Sequence, residues 1–439
     1  MSGIVGMAHP EGRPVDSDLL RRMTNSLSFR GPDAQEIWAN GSVGLGHALL
    51  SHANESERER QPATLDQRNW IVADVRLDAH RELVEALRSR GRDAEFSNTD
   101  AQLLLHAYEA WGEACLDHLL GDFAFAIWDA RRQQFFCACD HFGIRALYFA
   151  EVDHSFIFSN TLDCLRLHPS VSGRLNDAAI ADFLLFGMNY DPASTSFSDI
   201  RRLPRAHSLR WSRSGVHLRE YWRPPTDGAV HYQRRQDYIE HFNELLTKAV
   251  DDRLRTDKVG ILLSGGLDSS SVAVVAHELH KEKYPGLELH AFTSTFEKLI
   301  PDRDAPAART MANALQIPLH CWPVDRAGIF EGWENPQLYW PEPIDDPFAC
   351  SSLDEVKDIA RHVRVLFSGE GSDNLMEFEM TRHLRGLWRE GRAGRVFLDL
   401  AEHVRQRFQA PDGLRGPLRR IPRLFSREPG ARFPDWIQP

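Results

Sequence analysis

The residues best equipped for chemistry are Ser264-Gly265-Gly266-Leu267-Asp268-Ser269-Ser270, where two glycines and three hydroxyls surround one carboxylate. They follow an apolar run, Val259–Leu263, and precede a helical pattern from about Ser270 to Lys281. Glycines let backbone N–H groups approach an anion closely. The helix that follows adds the partial positive charge of its N-terminus. With hydroxyls from Ser264, Ser269 and Ser270, the loop suits a polyphosphate. Asp268 cannot bind phosphate itself and is expected to hold an accompanying Mg²⁺. The Gly-x-x-x-x-Gly-Lys-Ser/Thr spacing of another phosphate loop is absent. The plainer alternative is a glycine turn between a strand and a helix. A second loop, Ser368-Gly369-Glu370-Gly371-Ser372-Asp373, follows the apolar stretch 363–367. Its carboxylates suit a general base, Glu370, and a second Mg²⁺ ligand, Asp373. A capped helix start with exposed acids is the alternative there.

Both loops need a sheet to hold them. Strands at Val259–Leu263, His290–Phe296 and Leu319–Pro323 alternate with helices at 270–281 and Ala305–Leu315. That alternation predicts a parallel, doubly wound sheet, which binds ligands beyond its strands' carboxyl ends. A helix over 235–254 leads into it, with Tyr238, Phe242, Leu245, Ala249 and Val250 as its buried stripe. Pro224-Pro225-Thr226-Asp227-Gly228 breaks the chain before that helix. Upstream, apolar alternating runs at 123–128, 134–140, 146–149 and 155–158 read as strands, as does a hairpin from 207–211 and 216–221. Helices are expected over Ser17–Ser26, capped by Asp16 or Ser17, and over Asp100–Trp111, capped by Asp100. The first half is therefore an antiparallel α+β layered fold.

Composition bounds the rest. The 439 residues carry 52 Lys and Arg against 63 Asp and Glu, a net charge of −11, which argues against a general nucleic-acid binder. No apolar run reaches the roughly 18 residues needed to cross a bilayer, and the start lacks a signal-peptide pattern. The expectation is a cytoplasmic protein with neither membrane nor nucleic acid as partner. Six cysteines show no CxxC pair, so Cys137 and Cys139 are expected in the core rather than on a metal. From Arg382 to Arg432 thirteen arginines face five acids. This stretch reads as solvated helix faces or as a dock for an acidic peptide. His141 is expected to pack in a turn. Glu342, Asp345 and Asp346 form a proline-stiffened acidic loop that would line an acyl-substrate pocket or simply face water.

The loop Ser264–Ser270 resembles the pyrophosphate loop of N-type ATP pyrophosphatases. Together with Ser368–Asp373, Arg30-Gly31-Pro32-Asp33, Leu120-Gly121-Asp122-Phe123 and Asp140-His141-Phe142-Gly143-Ile144-Arg145, it is similar to the asparagine synthetase B superfamily over nearly the whole chain. The resemblance implies an N-terminal-nucleophile-like glutaminase domain of αββα layers over 1–222 and an α/β ATP-pyrophosphatase (asparagine synthase) domain over 230–439. It implies ATP and Mg²⁺ as cofactors and a carboxylate substrate activated as an acyl-adenylate. Pyrophosphate would sit on Ser264, Gly265, Gly266, Leu267, Asp268, Ser269 and Ser270. Leu263, Ser294, Ser368 and Gly369 would hold the nucleotide. Mg²⁺ would lie between Asp268 and Asp373, and Glu370 would deprotonate or orient the amine.

The sequence departs from the family where glutamine would be hydrolysed. Ser2 stands at the nucleophilic cysteine, and an N-terminal Ser activated by its own amine is a poor substitute. Leu49 replaces the carboxylate-clamping arginine, and Asp74-Val75 replaces the Asn-Gly oxyanion donors. Asp100 persists, with nothing to cooperate with. Losing all three functions leaves little route to hydrolysis, so this domain is expected to be inactive. The amine would then belong to the substrate, as in β-lactam synthetases and lasso-peptide macrocyclases, which 74–78, Asp-Val-Arg-Leu-Asp, also resembles. A macrocyclase would join a precursor peptide's Asp or Glu to its own N-terminal amine, alongside peptide-processing partner proteins. The alternatives are asparagine synthesis from aspartate with ammonia or glutamine, or a non-catalytic ATP-binding relative. The family's domain normally supplies a later lysine, whereas the last lysine here is Lys357. The expectation is a truncated chain or a substitute such as Arg382 or Arg385, and Asn374 stands where the family usually has Glu.

Overall fold

The structure is a computed structural model that describes residues 1–51, 59–225, 230–326, 328–334, 340, 342–372, 380–389 and 391–408. Met1–Ser368 forms one compact unit and Gly369–Pro439 a second.

Two six-stranded antiparallel sheets build the first half. The first contains β1 (Gly3–Ala8), β2 (Ala34–Asn40), β3 (Val43–Leu49), β8 (Tyr148–Val152), β9 (Ser155–Ser159) and β10 (Arg201–Arg202), in the order β10-β8-β9-β1-β3-β2. The second contains β4 (Ala63–Thr64), β5 (Asn69–Leu77), β6 (Gly121–Asp129), β7 (Gln134–Cys139), β11 (His207–Ser212) and β12 (Gly215–Glu220), in the order β12-β11-β7-β6-β5-β4. Period-two alternation lets each sheet bury both faces. Ile4, Leu45, Val72, Ala126, Phe135 and Phe158 fill the space between the sheets, with Cys137 and Cys139 among them. Helices α1 (Ser17–Ser26) and α4 (Leu162–Arg166) cover the first sheet's outer face, and α2 (His80–Ser89) and α3 (Asp100–Trp111) cover the second's. This is the αββα arrangement of an N-terminal-nucleophile fold. A fifth helix, α5 (Asp177–Phe186), follows α4.

Asp16 caps α1 by accepting from the amides of Asp18 and Leu19. Asp100 does not cap α3. Thr99 and Gln102 form a reciprocal capping box there, which frees the Asp100 carboxylate to face Leu77 and Arg255. The strand expected at 146–149 begins at Tyr148 instead.

The rest of the first unit is a four-stranded parallel sheet of β13 (Lys258–Leu262), β14 (Glu288–Thr295), β15 (Leu319–Pro323) and β16 (Val365–Phe367), in the order β15-β14-β13-β16. Helices α6 (Arg235–Asp251), α7 (Leu267–Glu282), α8 (Asp304–Leu315) and α9 (Ala349–Ala360) surround it. Val259, Ile261, Ala273, Ala276, Ala308 and Ala312 make its core. The α/β ATP-pyrophosphatase layout is thus present. The expected stripe of α6 is overturned. Val250 is buried, but Tyr238, Phe242, Leu245 and Ala249 are exposed. The helix meets the core through Leu246 and Val250, so its packed side is rotated from the one the pattern suggested. In the second unit, α10 (Met380–Arg389) and α11 (Ala393–Phe408) are described. The part of the arginine-rich stretch beyond 408, with six of its thirteen arginines, lies outside the described residues. Among the described residues, no helix is long and apolar enough to cross a membrane.

Candidate functional site

The carboxyl ends of the parallel strands place most of the residues of interest. Val259, Gly260 and Ile261 pair with Val365, Leu366 and Phe367, so Ser368 emerges beside Leu262. On the other side Leu262 pairs with Phe292, and the Leu263 amide donates to Phe292 O at 2.8 Å. Ser294 follows two residues later on β14, and its hydroxyl donates to Glu355 Oε1 at 2.7 Å. Leu263, Ser264, Ser294 and Ser368 therefore share one edge of the sheet.

The loop from β13 to α7 is drawn tight by its own serines. The Ser264 amide donates to Ser269 Oγ at 3.3 Å, the two hydroxyls are 3.1 Å apart, and the Gly266 amide donates to Ser264 Oγ at 3.2 Å. Gly265 has φ +76°, and a Cβ there would stand 2.5 Å from the Ala307 backbone. Only glycine suits that position. Helix α7 starts at Leu267 with no side-chain cap, so its first amides point outward as an anion site requires. Asp268 lies half-buried in the first turn, and Leu267 is exposed. Ser269 and Ser270 are buried, and Ser270 Oγ has no hydrogen-bond partner among the described residues. A buried unsatisfied hydroxyl costs about 1–3 kcal/mol. Its presence beside glycines and uncapped amides fits a site shaped for an anion that supplies the missing acceptor.

The second loop belongs to the other compact unit from Gly369 onward. There the Ser372 amide donates to Gly369 O at 3.3 Å, Gly371 has φ +85°, and Glu370 is exposed. Asp373 and Asn374 lie outside the described residues, as does the side chain of Arg382.

In the antiparallel layers, Ser2 and its neighbours form a second cluster. The Ser2 amide donates to Asp74 Oδ1 at 3.0 Å, and Ser2 Oγ accepts from the Leu50 amide at 3.1 Å. Asp74 is buried with Arg30 at 3.4 Å and Asn160 Nδ2 at 3.4 Å, while Asn160 also donates to Ser2 O at 2.8 Å. Leu49 and Val75 are buried apolar residues of β3 and β5. His47 is buried close by, and burial lowers its pKa to about 4 despite Asp74, so it is neutral. The backbone of Gly31 lies against β3, where a Cβ would stand 2.0 Å from Ala48 O. That contact explains the glycine in Arg30-Gly31-Pro32-Asp33. Sequence reasoning missed Asn160 and His47. Asn160 lies two residues after the apolar run 155–158, the one available signal.

Asp100 is not part of this cluster. It accepts from the Leu77 amide at 3.0 Å and pairs with Arg255 at 3.1 Å and with His80 at 3.3 Å. Burial pushes its carboxyl up, but His80, Arg255 and the Leu77 amide outweigh that and hold it at about 2. Arg255 immediately precedes the parallel sheet, so Asp100 ties the antiparallel layers to it. Arg253 with Asp78 at 3.1 Å, Arg364 with Asp33 at 3.0 Å and Arg202 with Glu342 at 2.6 Å do the same. A cavity of about 260 Å³ lies among these pairs, lined by Met1, Leu50 and Arg145 on one side and Arg253, Arg364 and Phe367 on the other. His141 packs edge-on against Phe123, Tyr221 and Trp222.

Residues 1–222 match the glutamine amidotransferase domain family, and residues 241–428 match the asparagine synthase family. The chain belongs to the asparagine synthetase superfamily. The glutamine-hydrolyzing asparagine synthetase 3 of Bacillus subtilis is 28% identical over 389 residues, covering 85% of this chain and 62% of that one. For the same organism's asparagine synthetase 2 the figures are 26% over 399 residues, 85% and 51%. Amidase chry2 of Gibberella zeae is 28% identical over 381 residues, covering 79% and 53%. The chain thus spans between 51% and 62% of the length of these relatives.

Proposed function

We propose that the chain is an ATP-dependent amide-forming ligase that does not hydrolyse glutamine and that closes a ring on a precursor peptide. The observation that carries the ligase reading is the loop Ser264–Ser270, where an unpartnered buried hydroxyl meets uncapped amides and an obligatory glycine. A carboxylate oxygen of the substrate attacks the α-phosphorus of ATP, and pyrophosphate leaves onto this loop. The amine then attacks the acyl carbon, AMP leaves, and Glu370 takes the proton. Asp268 is the described carboxylate that would hold Mg²⁺, which when bound neutralises charge on the departing pyrophosphate. Leu263, Ser294, Ser368 and Gly369 would hold the nucleotide.

The loss of glutaminase chemistry rests on Asp74. A nucleophile at position 2 would need its own amine as base. Removal of Met1 would expose that nitrogen 3.0 Å from the Asp74 carboxylate. That contact would engage the amine with a carboxylate instead of with the position 2 hydroxyl it would have to deprotonate. A carboxylate where an amide donor is needed would also repel a developing oxyanion. With no ammonia from glutamine, the amine comes from the substrate.

The likeness to the glutamine-hydrolyzing asparagine synthetases of Bacillus subtilis favours a second reading, asparagine formation from aspartate with ammonia or glutamine. Products decide between the two. The chain is incubated with ATP and Mg²⁺, once with aspartate and ammonium and once with peptides carrying a free N-terminal amine and an internal Asp or Glu. AMP with a peptide lighter by one water supports the ring-closing reading. AMP with asparagine replaces it by the second. Bound ATP with no AMP under either condition contradicts both and leaves a non-catalytic ATP-binding relative.

A further inference from the structure

Five arginines line the cavity between the antiparallel layers and the parallel sheet, and the ligase chemistry uses none of them. Arg76 and Arg145 come from the layers, Arg253 and Arg255 from the segment between α6 and β13, and Arg364 directly precedes β16. The cavity of about 260 Å³ has room for about nine waters at ~30 Å³ each. Two carboxylates share its wall. Asp122 is held by Arg76 at 2.9 Å, and Asp252 accepts from the Ala79 amide at 3.2 Å. The arginines' other partners, Asp33, Asp74, Asp78 and Asp100, are not part of the lining. The space therefore faces five guanidinium groups and two carboxylates. Guanidinium stays charged throughout the physiological pH range, and a cleft dominated by one sign concentrates counter-ions.

Arg145 lacks the close carboxylate that each of the other four has. Its side chain is only 12% exposed. Among the described residues its Nε is buried with no hydrogen-bond partner, and its ion pair with Asp74 is 3.9 Å long, too long for a hydrogen bond. Asp74 is already engaged by the Ser2 amide, Arg30 and Asn160. A buried charged donor without an acceptor is costly, and an oxyanion in the cavity would supply one.

We propose that this cavity binds a small polyvalent oxyanion, a polycarboxylate or a phosphate monoester, that bridges the antiparallel layers to the parallel sheet. Carboxylate and phosphate both fit the guanidinium fork bidentately. Arg76 and Arg145 would hold the anion from one side, and Arg253, Arg255 and Arg364 from the other. Residues 365–367 add an apolar wall for a short carbon backbone. Arg364 lies four residues before Ser368, about 13 Å along an extended strand, which sets it apart from the nucleotide edge. The plainer alternative is that the arginines only clamp the layers together around water.

Calorimetric titration of the full chain at physiological salt separates the two, with citrate and glycerol 3-phosphate as probes and glycerol as the neutral control. The expected result is one equivalent of at least one anion with a Kd of about 1 mM or tighter, no binding of glycerol, and a Tm that rises with anion concentration. The probe that binds tells a carboxylate source from a phosphate one. Arg145→Met should weaken that binding at least tenfold and keep or raise the Tm, since the Nε it removes is unsatisfied. Arg22→Met, at an exposed position of α1 outside the cavity, should bind as the wild type does. A variant that fails to fold is bypassed in the wild type, where the bound anion should protect Arg253 and Arg364 from phenylglyoxal, read by mass spectrometry. The loop Ser264–Ser270 holds no arginine, so this protection reports on the cavity alone. Absence of binding by both probes, unchanged affinity in a folded Arg145→Met, or equal modification of Arg253 and Arg364 with and without the anion would overturn the proposal.

Discussion

At the residue scale, Asp74 and Ser2 set the fate of the N-terminal pocket. On the proposed reading, restoring the thiol alone would not restore glutamine hydrolysis, because the Asp74 carboxylate would still face the position 2 nitrogen at 3.0 Å. Ser2→Cys is therefore expected to release no glutamate from glutamine above the wild-type background, checked by a coupled glutamate assay. Glutamate release would show that Asp74 is no obstacle. Glu59 allows a second prediction. Burial raises its carboxyl to about 7, although Gln61 donates a hydrogen bond to it. Its folded pKa lies above its unfolded one, so it contributes stability at acid pH that is lost as pH rises through about 7. Glu59→Gln should raise Tm at pH 8 and leave it nearly unchanged at pH 4, by thermal unfolding at both. An equal shift at both pH values would contradict this. The replacement of Cys by Ser at position 2 was legible from type alone. The Asp74 contact was not, since residues 72 positions apart meet only through the pairing of sheets.

At the element scale, the strand–loop–helix around Ser264–Ser270 was the most legible feature. Glycine, serine and a flanking apolar run carry its geometry locally. The helix nonetheless starts at Leu267, earlier than the pattern suggested, because Ser269 and Ser270 lie inside its first turn and still face the loop. Gly265→Ala should weaken ATP binding at least tenfold, since it forces a left-handed residue and a Cβ against α8. Ser270→Ala should leave Tm unchanged or slightly raised, because the hydroxyl it removes is unsatisfied, while lowering ATP affinity. Calorimetric titration with thermal unfolding checks both, and a Ser270→Ala variant that binds ATP normally would remove that hydroxyl from the site. The buried face of α6 was not legible. Its apolar residues are numerous enough to offer more than one stripe, and contact with α7 selects the side bearing Leu246 and Val250.

At the scale of the whole molecule, arginine–carboxylate pairs join the antiparallel layers to the parallel sheet. Sequence reading found neither these pairs nor the use of Asp100 and Glu342 in them, because they are single contacts between distant segments. Arg255→Ala leaves Asp100 buried with His80 and the Leu77 amide alone. It should cost about 3 kcal/mol. Because Asp100 sits at about 2 when folded, its contribution is present above the ordinary carboxylate range and is lost as pH falls toward 2. The wild-type advantage over Arg255→Ala should therefore shrink between pH 5 and pH 2 in chemical unfolding. A constant difference would contradict the pairing. The two-fold organisation was legible in outline, since alternating strands and helices after Gly228 differ in period from the strand-rich first half.

The central claim is that ATP is split between its α- and β-phosphates by a carboxylate, without glutamine. Exchange of labelled pyrophosphate into ATP measures this step in isolation, before any amine is needed. With Mg²⁺ and either aspartate or Asp- and Glu-containing peptides, we predict carboxylate-dependent exchange that glutamine does not stimulate and that Gly265→Ala abolishes. Exchange that requires glutamine, or formation of ADP in place of AMP, would contradict the account.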